Sequence, residues 1–386
     1  MTRSFWQTVS KFTSIAPVTR ASAPGRQQGP TEKFAPPQNM DARSTIDILD
    51  RIAGYVGAIG RDQSKAAQSS TLSLLARHYA TCAAELATAN AFRSASAGRE
   101  DWPEDDGSID FVRRTNIYIP GGEVEIEAER EEFPWAHFFS DADCGIFLVC
   151  GQSNAANHGS GDADASADVF ALNFMTMRCH SAQDPLPGAS GSGASIWPRL
   201  GNLLIERGFY KRVLFVPIAF GGTYISDWTV YGPTRGRLTL TLSRLRKRLG
   251  RALLDFDATF WQQGEAEANL TSMTAEEYMV RFASVLGVLR AQGVFGPVIV
   301  SQSTLCEGSS PHPFRNHDAI REGQFRVADP SRGVFRGPDT DSIGLDARHD
   351  GCHFSETGLD RAAMLWLETI ETHRDLLITA RASGKS

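Results

Sequence analysis

From about residue 145 onward, short apolar runs alternate with longer segments of helical periodicity, and this alternation limits the fold more than any other feature of the chain. Strands are expected near 145–150, 213–219, 258–262, 298–303 and 333–336, and helices near 196–207, 238–249, 275–292, 316–327 and 356–373. Strands joined through crossover helices run parallel. Such a sheet is covered on both faces, and its functional groups collect at the carboxyl ends of its strands. The fold class is α/β.

The chain has 386 residues, yet its chemistry-bearing segments fall within one stretch that a single catalytic domain can fill, placed at 141–375. Residues 1–40 read as a disordered tail, with Pro24, Gly25, Pro30, Pro36 and Pro37 breaking any regular element. Over 41–100 a helical hairpin is expected as an N-terminal extension. Ile46, Leu49, Ile52, Ala53, Val56 and Ile59 mark one helix, and Leu72, Leu75, Tyr79, Cys82, Leu86 and Ala89 mark the next. These helices pack on their own domain or support self-association, and the short seam favours the first. The 101–140 segment reads as a linker with a small β-hairpin around Pro120-Gly121-Gly122, and 376–386 as a tail.

A net charge of −6, without a basic run interleaved with aromatics, argues against nucleic acid as a partner. No apolar run reaches the ~18 to 20 residues of a membrane span. Polar residues interrupt every candidate signal-peptide core near Lys11, so a cytoplasmic location is favoured. The six cysteines (82, 144, 150, 179, 306 and 352) lack the dense spacing of a disulfide scaffold, and reduced thiols are expected.

Four short blocks carry chemistry. In the first, the apolar run 146–150 enters Gly151-Gln152-Ser153-Asn154, a turn that can lift one hydroxyl out of the sheet and aim backbone N–H groups at an oxyanion. It is not the Gly-x-Ser-x-Gly elbow, since position 155 is Ala, and Ser153 read alone is equally an ordinary turn residue. The second block, Gly221-Gly222-Thr223 with Trp228, allows close backbone approach; turn geometry also explains the glycines, and core packing explains the tryptophan. The third, Gln263-Gly264-Glu265, offers an amide donor, although a buried amide satisfying loop carbonyls has the same signature.

The fourth block is Asp350-Gly351-Cys352-His353. A serine hydroxyl is a poor nucleophile until a base removes its proton, and the base needs a partner that holds its tautomer. Asp350 and His353 can do both, while a solvated turn is the plainer reading. His349, Asp339, Asp341 and Asp346 stay open as partners. A zinc site joining 349–353 to Cys179-His180 is the metal alternative, disfavoured because the adjacent side chains diverge.

Taken together and in this order, the blocks resemble the SGNH hydrolase superfamily, and within it sialate O-acetylesterase-like and carbohydrate esterase family 6 acetyl xylan esterase domains, over roughly residues 143 to 370. The resemblance implies a three-layer α/β/α, flavodoxin-like fold with a five-stranded parallel sheet, and ester hydrolysis without metal or other cofactor. It implies Ser153 as nucleophile, His353 as base and then acid, and Asp350 as its orienting carboxylate. Ser153, Gly222 and Gln263 would form the oxyanion hole, while Gln152, Asn154, Trp228 and Glu265 are the candidate substrate-binding residues. Glu267 stands where this branch often has Asp, and residues 1 to about 140 have no recognised counterpart.

The expected substrate is an acetylated carbohydrate, deacetylated through an acetyl-enzyme. Two alternatives remain open. One is a non-catalytic carbohydrate-binding or scaffold protein, and the other is an esterase or thioesterase acting on a lipid acyl group.

Overall fold

The computed structural model describes residues 130–375, apart from 162–164, 231 and 308–315. The tails at 1–40 and 376–386, the helical hairpin at 41–100 and the strand, turn and strand within 116–127 lie outside the described residues.

Seven strands form one sheet: β1 (Cys144–Gly151), β2 (Val169–Leu172), β3 (Cys179–Ser181), β4 (Arg212–Pro217), β5 (Ala258–Gln262), β6 (Val298–Gln302) and β7 (Val334–Asp339). Their spatial order is β3-β2-β4-β1-β5-β6-β7. Every neighbouring pair is parallel except β2 with β3. The expected five strands are all present, but the sheet has seven strands and is mixed.

The two extra strands have only four and three residues, too few to show a period, and β3 carries the polar His180 and Ser181. Its direction follows from the connection. Asn173 N–H donates to the Arg178 carbonyl at 2.9 Å, closing a tight turn, and strands joined by so short a turn run antiparallel.

Every residue of β1 is buried, as expected of a strand covered on both faces. Ile146, Leu148 and Cys150 enter one core, and Phe147 and Val149 enter the other. Helices α1 (Trp197–Glu206) and α7 (Glu356–Thr372) cover the Phe147 face. There Phe260 stacks on Phe147 at 4.9 Å and lies 4.7 Å from Trp366. Truncating Trp366 to Ala would leave a cavity worth about 3 to 5 kcal/mol.

The other face carries α2 (Ile225–Trp228), α3 (Arg235–Leu249) and α5 (Ala275–Ala291), with α4 (Glu265–Leu270) and α6 (His317–Arg326) near the end of β5. Leu238, Leu242 and Leu245 recur at helical spacing on α3, as do Tyr278, Phe282, Val285 and Leu289 on α5. Helix starts are written in the sequence. Thr274 and Glu277 make a reciprocal capping box on α5, and Ser355 Oγ accepts from Gly358 N–H on α7.

The chain winds from β1 to β2 and β4 on one side, then crosses to β5, β6 and β7 on the other. The winding direction reverses at β1, so the crevice beyond its carboxyl end is where such a sheet binds ligands. Ser153, Gly222 and Gln263 follow the carboxyl ends of β1, β4 and β5, three adjacent strands. Among the described residues, no helix is long and apolar enough to cross a membrane.

Candidate active site

The turn after β1 depends on a glycine. Gly151 has φ +133°, and a Cβ there would lie 2.0 Å from the Gln262 carbonyl oxygen. With that approach allowed, Gln152 N–H donates to the same carbonyl at 3.0 Å and extends the β1–β5 pairing by one step. Residues Ser153–Ala155 then form one 3-10 turn, in which Ala156 N–H donates to Ser153 O at 2.9 Å. Ser153 sits at the tip, 5% exposed. Among the described residues the backbone N–H groups of Ser153 and Gly222 meet no acceptor, which leaves both able to donate to an incoming group.

His353 and Asp350 are joined as their spacing suggests. His353 Nδ1 lies 2.7 Å from Asp350 Oδ2, while Asp350 Oδ1 accepts from the backbone N–H groups of His353 at 2.7 Å and Cys352 at 2.9 Å. Burial works to raise the Asp350 carboxyl, but these bonds to His353 and Cys352 outweigh it and hold the group at about 2. It is a carboxylate throughout the neutral range. Of the other open partners, Asp339 and Asp341 pair with Arg321, and Asp346 with Arg361.

Asn154, beside Ser153, ties the Ser153 turn to this loop. Its Nδ2 donates to Glu265 Oε1 at 2.8 Å and to the Cys352 carbonyl at 3.2 Å, next to His353. Glu265 Oε1 also accepts from Ser303 Oγ at 2.7 Å. Burial raises the Glu265 carboxyl above its ordinary range, opposed by the bonds from Asn154 and Ser303. Residues that follow β1, β5 and β6, and the loop before α7, therefore meet at one buried network.

Two of the expected substrate contacts require correction. Glu265 is 1% exposed and Trp228 fully buried, so neither has a surface left for a sugar. Glu265 orders Asn154. Trp228 donates from Nε1 to Thr223 Oγ1 at 3.0 Å and packs edge-on against Trp261, which anchors the glycine loop from below. Gln152 and Asn154 are themselves 3% and 4% exposed, at the floor of the crevice.

The Gln263 amide is heavily engaged. Its Nε2 donates to Glu267 Oε2 and lies 3.3 Å from both Gln152 Oε1 and the Thr223 carbonyl. Glu267, beneath it, also accepts from Ile225 N–H, and burial pushes its carboxyl up to about 7. Gln152 Oε1 additionally faces the N–H groups of Gly264 at 3.2 Å and Ala266 at 3.3 Å, which fixes that amide plane.

Sequence patterns did not single out two further features. His158 stacks on His353 with ring centroids 5.2 Å apart, and its Nε2 lies 3.2 Å from Ser190 Oγ, which accepts from Gly221 N–H at 2.7 Å. Burial first, and then His353, push His158 down to about 4, so it is neutral at ordinary pH. The 188–195 segment thus borders the site through Ser190. The second feature corrects the expectation of reduced thiols, because Cys306 and Cys352 form a disulfide across 46 positions. Cys144, Cys150 and Cys179 are buried and take no part in a disulfide.

That disulfide also bears on the zinc alternative. Donor atoms of His349, Asp350 and His353 lie within 4.8 Å of one another, but Cys352 has no thiolate to add. His180 is on β3, with Nδ1 2.8 Å from the Glu131 carbonyl.

The family described as "Carbohydrate esterase, sialic acid-specific acetylesterase" matches residues 143–368, and no curated protein matches the chain. Among solved structures, a protein from Arabidopsis thaliana is 19% identical, covering 60% of this chain and 99% of its own, with TM-score 0.47. NanS is 14% identical, with coverages of 60% and 98% and TM-score 0.43. A carbohydrate acetylesterase from Xanthomonas citri is 15% identical, with coverages of 59% and 56% and TM-score 0.42. The family match spans more than half of the chain and takes in all four sequence blocks, so the chain belongs to the sialic acid-specific acetylesterase family of carbohydrate esterases and is a carboxylic ester hydrolase.

Proposed function

We propose that the chain removes O-acetyl groups from a carbohydrate through an acetyl-enzyme on Ser153. The observation that carries this reading is the 2.7 Å Asp350–His353 contact, on a loop gripped by the neighbour of Ser153. In the first half-reaction Ser153 Oγ attacks the acetyl carbonyl carbon while His353 takes the hydroxyl proton. Collapse of the tetrahedral intermediate breaks the bond to the sugar oxygen, which leaves with the proton from His353. Water, deprotonated in turn by His353, then attacks the acetyl-serine, and acetate departs. Asp350 holds the ring in the tautomer that can accept at Nε2, and it stabilises the imidazolium formed.

The backbone N–H groups of Ser153 and Gly222 are the first two donors to the oxyanion. The third is an amide, and the resemblance assigns it to Gln263. Because its nitrogen already meets Glu267, Gln152 and Thr223, Gln263 donates only by releasing one of them. The Gln152 nitrogen meets no acceptor among the described residues, which makes it the second candidate.

Ser153→Ala tests the reading. It should nearly abolish hydrolysis of an aryl acetate without changing the fold, and an unchanged rate would remove Ser153 from the mechanism. A panel of acetylated glycans, including O-acetylated sialic acids, then identifies the sugar from released acetate. Running it with and without chelator discriminates the metal alternative, in which activity is lost on chelation and restored by zinc.

A further inference from the structure

We infer that the Cys306–Cys352 disulfide is the positioning element of the catalytic base, so that esterase turnover depends on the oxidation state of this one bond. The inference rests on His353 being that base.

His353 lies on a loop that is well tied to itself. Arg348 and Phe354 bridge across it, His349 N–H donates to the His353 carbonyl at 2.9 Å, and Asp350 caps two of its N–H groups. These contacts fix the shape of the loop. They do not fix its place relative to Ser153, because all of them are made within residues 348–354.

The other ties that leave the loop are non-covalent. Asn154 donates to the Cys352 carbonyl, Glu307 N–H to the Gly351 carbonyl at 2.9 Å, Ser160 N–H to the Phe354 carbonyl at 3.0 Å and Arg348 to the Thr340 carbonyl at 3.1 Å, while His349 Nε2 lies 3.2 Å from the His158 carbonyl and His158 stacks on His353. The disulfide joins them at Cys352, the residue immediately before His353. Asp350 and His349 are exposed, so solvent competes for hydrogen bonds along this rim, but not for a covalent bond.

The other end of the bond is firmly held. Cys306 follows Thr304 and Leu305, whose N–H groups both donate to Asp341 Oδ1 at 2.8 Å, while Thr304 Oγ1 donates to Asp341 Oδ2 at 2.6 Å. Arg321 in turn holds Asp341, and Ser303 joins the buried carboxyl of Glu265. Cys306 is thus anchored to the end of β6 and to the network that contains Asn154. Through the disulfide, the platform that supports the nucleophile turn also supports the base.

A dithiol such as dithiothreitol reduces the bond. Its thiolate attacks one sulfur, the second thiol closes the reagent into its cyclic disulfide, and Cys306 and Cys352 each leave as a thiol, two electrons and two protons having passed to the protein. The Cys352 segment is then held by hydrogen bonds and packing, without a cross-link to β6.

The test compares the oxidised full chain, the same chain reduced, and Cys306→Ser/Cys352→Ser, with reduction verified by alkylation mapped to both cysteines. Reduction should lower kcat on an aryl acetate about tenfold or more, with KM changed less than about twofold, since an ångström of misplacement at a reacting group is costly. Re-oxidation should restore kcat, and the double variant should be slow with or without reductant. Hydrogen exchange should rise most over residues 345–356, beyond the uniform rise in β1 and β5 that a loss of global stability brings.

Retention of kcat by a chain alkylated at both cysteines would overturn the inference. So would a rise over 345–356 no larger than that in β1 and β5, which would make the bond a general staple alone. Failure of the underlying reading looks different, because His353→Ala would then remain active in the oxidised chain.

Discussion

Replacing Asp350 with Asn separates the orienting role of this residue from its structural one. Asp350 Oδ1 accepts from two backbone N–H groups, whereas Oδ2 faces His353 Nδ1. An asparagine keeps its oxygen on the two N–H groups, which turns its NH₂ toward Nδ1. That nitrogen must then accept, the ring proton moves to Nε2, and Nε2 can no longer take the proton of Ser153. Flipping the amide to restore the tautomer would break both backbone bonds, at about 1 kcal/mol each. Loss of the charge-assisted partner of the imidazolium adds roughly 1.5 to 3 kcal/mol.

The sum is about 4 kcal/mol, or a loss of roughly 10³-fold in kcat. This lies below the ~10⁴-fold measured for the equivalent change in a buried serine-protease triad. The difference is reasonable because the Asp350 side chain is 42% exposed and solvent screens the pair. Steady-state kinetics with an aryl acetate would read the loss. Thermal unfolding should move by only a few degrees, since the backbone bonds survive. A kcat within about threefold of the parent, with the protein folded, would refute the tautomer argument.

Other expectations follow from the same network. Gln263→Ala should lower kcat about 10²-fold as the loss of one oxyanion donor, and a larger loss in Gln152→Ala would move that role to Gln152. Glu267 has a folded-state pKa raised from 4.5 to about 7, so the stability linked to its protonation is fully present below about pH 4.5 and is lost as pH rises through about 7. Denaturant titrations of Glu267→Gln should therefore show a pH dependence flatter by roughly 3 kcal/mol across that window, and parallel profiles would contradict the assignment. Breaking the disulfide across 46 positions should lower stability by about 4 kcal/mol on the chain-entropy account, measured by chemical unfolding of Cys306→Ser/Cys352→Ser. A difference below about 1 kcal/mol would leave that account without support here.

The legible parts of the chain were those written in local periodicity. The helix near 275–292 announces itself through its apolar periodicity, and α5 occupies Ala275–Ala291. The strand 145–150 reads clearly because both of its faces are buried, which leaves an unbroken apolar run. β2 and β3 were not legible because their short lengths show no period, and pairing with neighbours rather than propensity makes them strands.

The site divides in the same way. Asp350 and His353 are three residues apart, and a local turn is enough to join them. By contrast, His158 meets His353, and Cys306 meets Cys352, only because the fold brings distant loops together, and no spacing records that. Trp228 and Glu265 look alike in sequence whether they face a ligand or a core. Only the packing of Trp261 and Ser303 against them shows that they face inward.

The most direct test of the account is to trap the intermediate. Mixing the full chain with an aryl acetate, quenching with acid during the first turnover and mapping peptides by mass spectrometry should find one acetyl group, on Ser153, with none in Ser153→Ala. Turnover without an acetylated intermediate, or acetyl carried on a different residue while Ser153→Ala stays active, would contradict it.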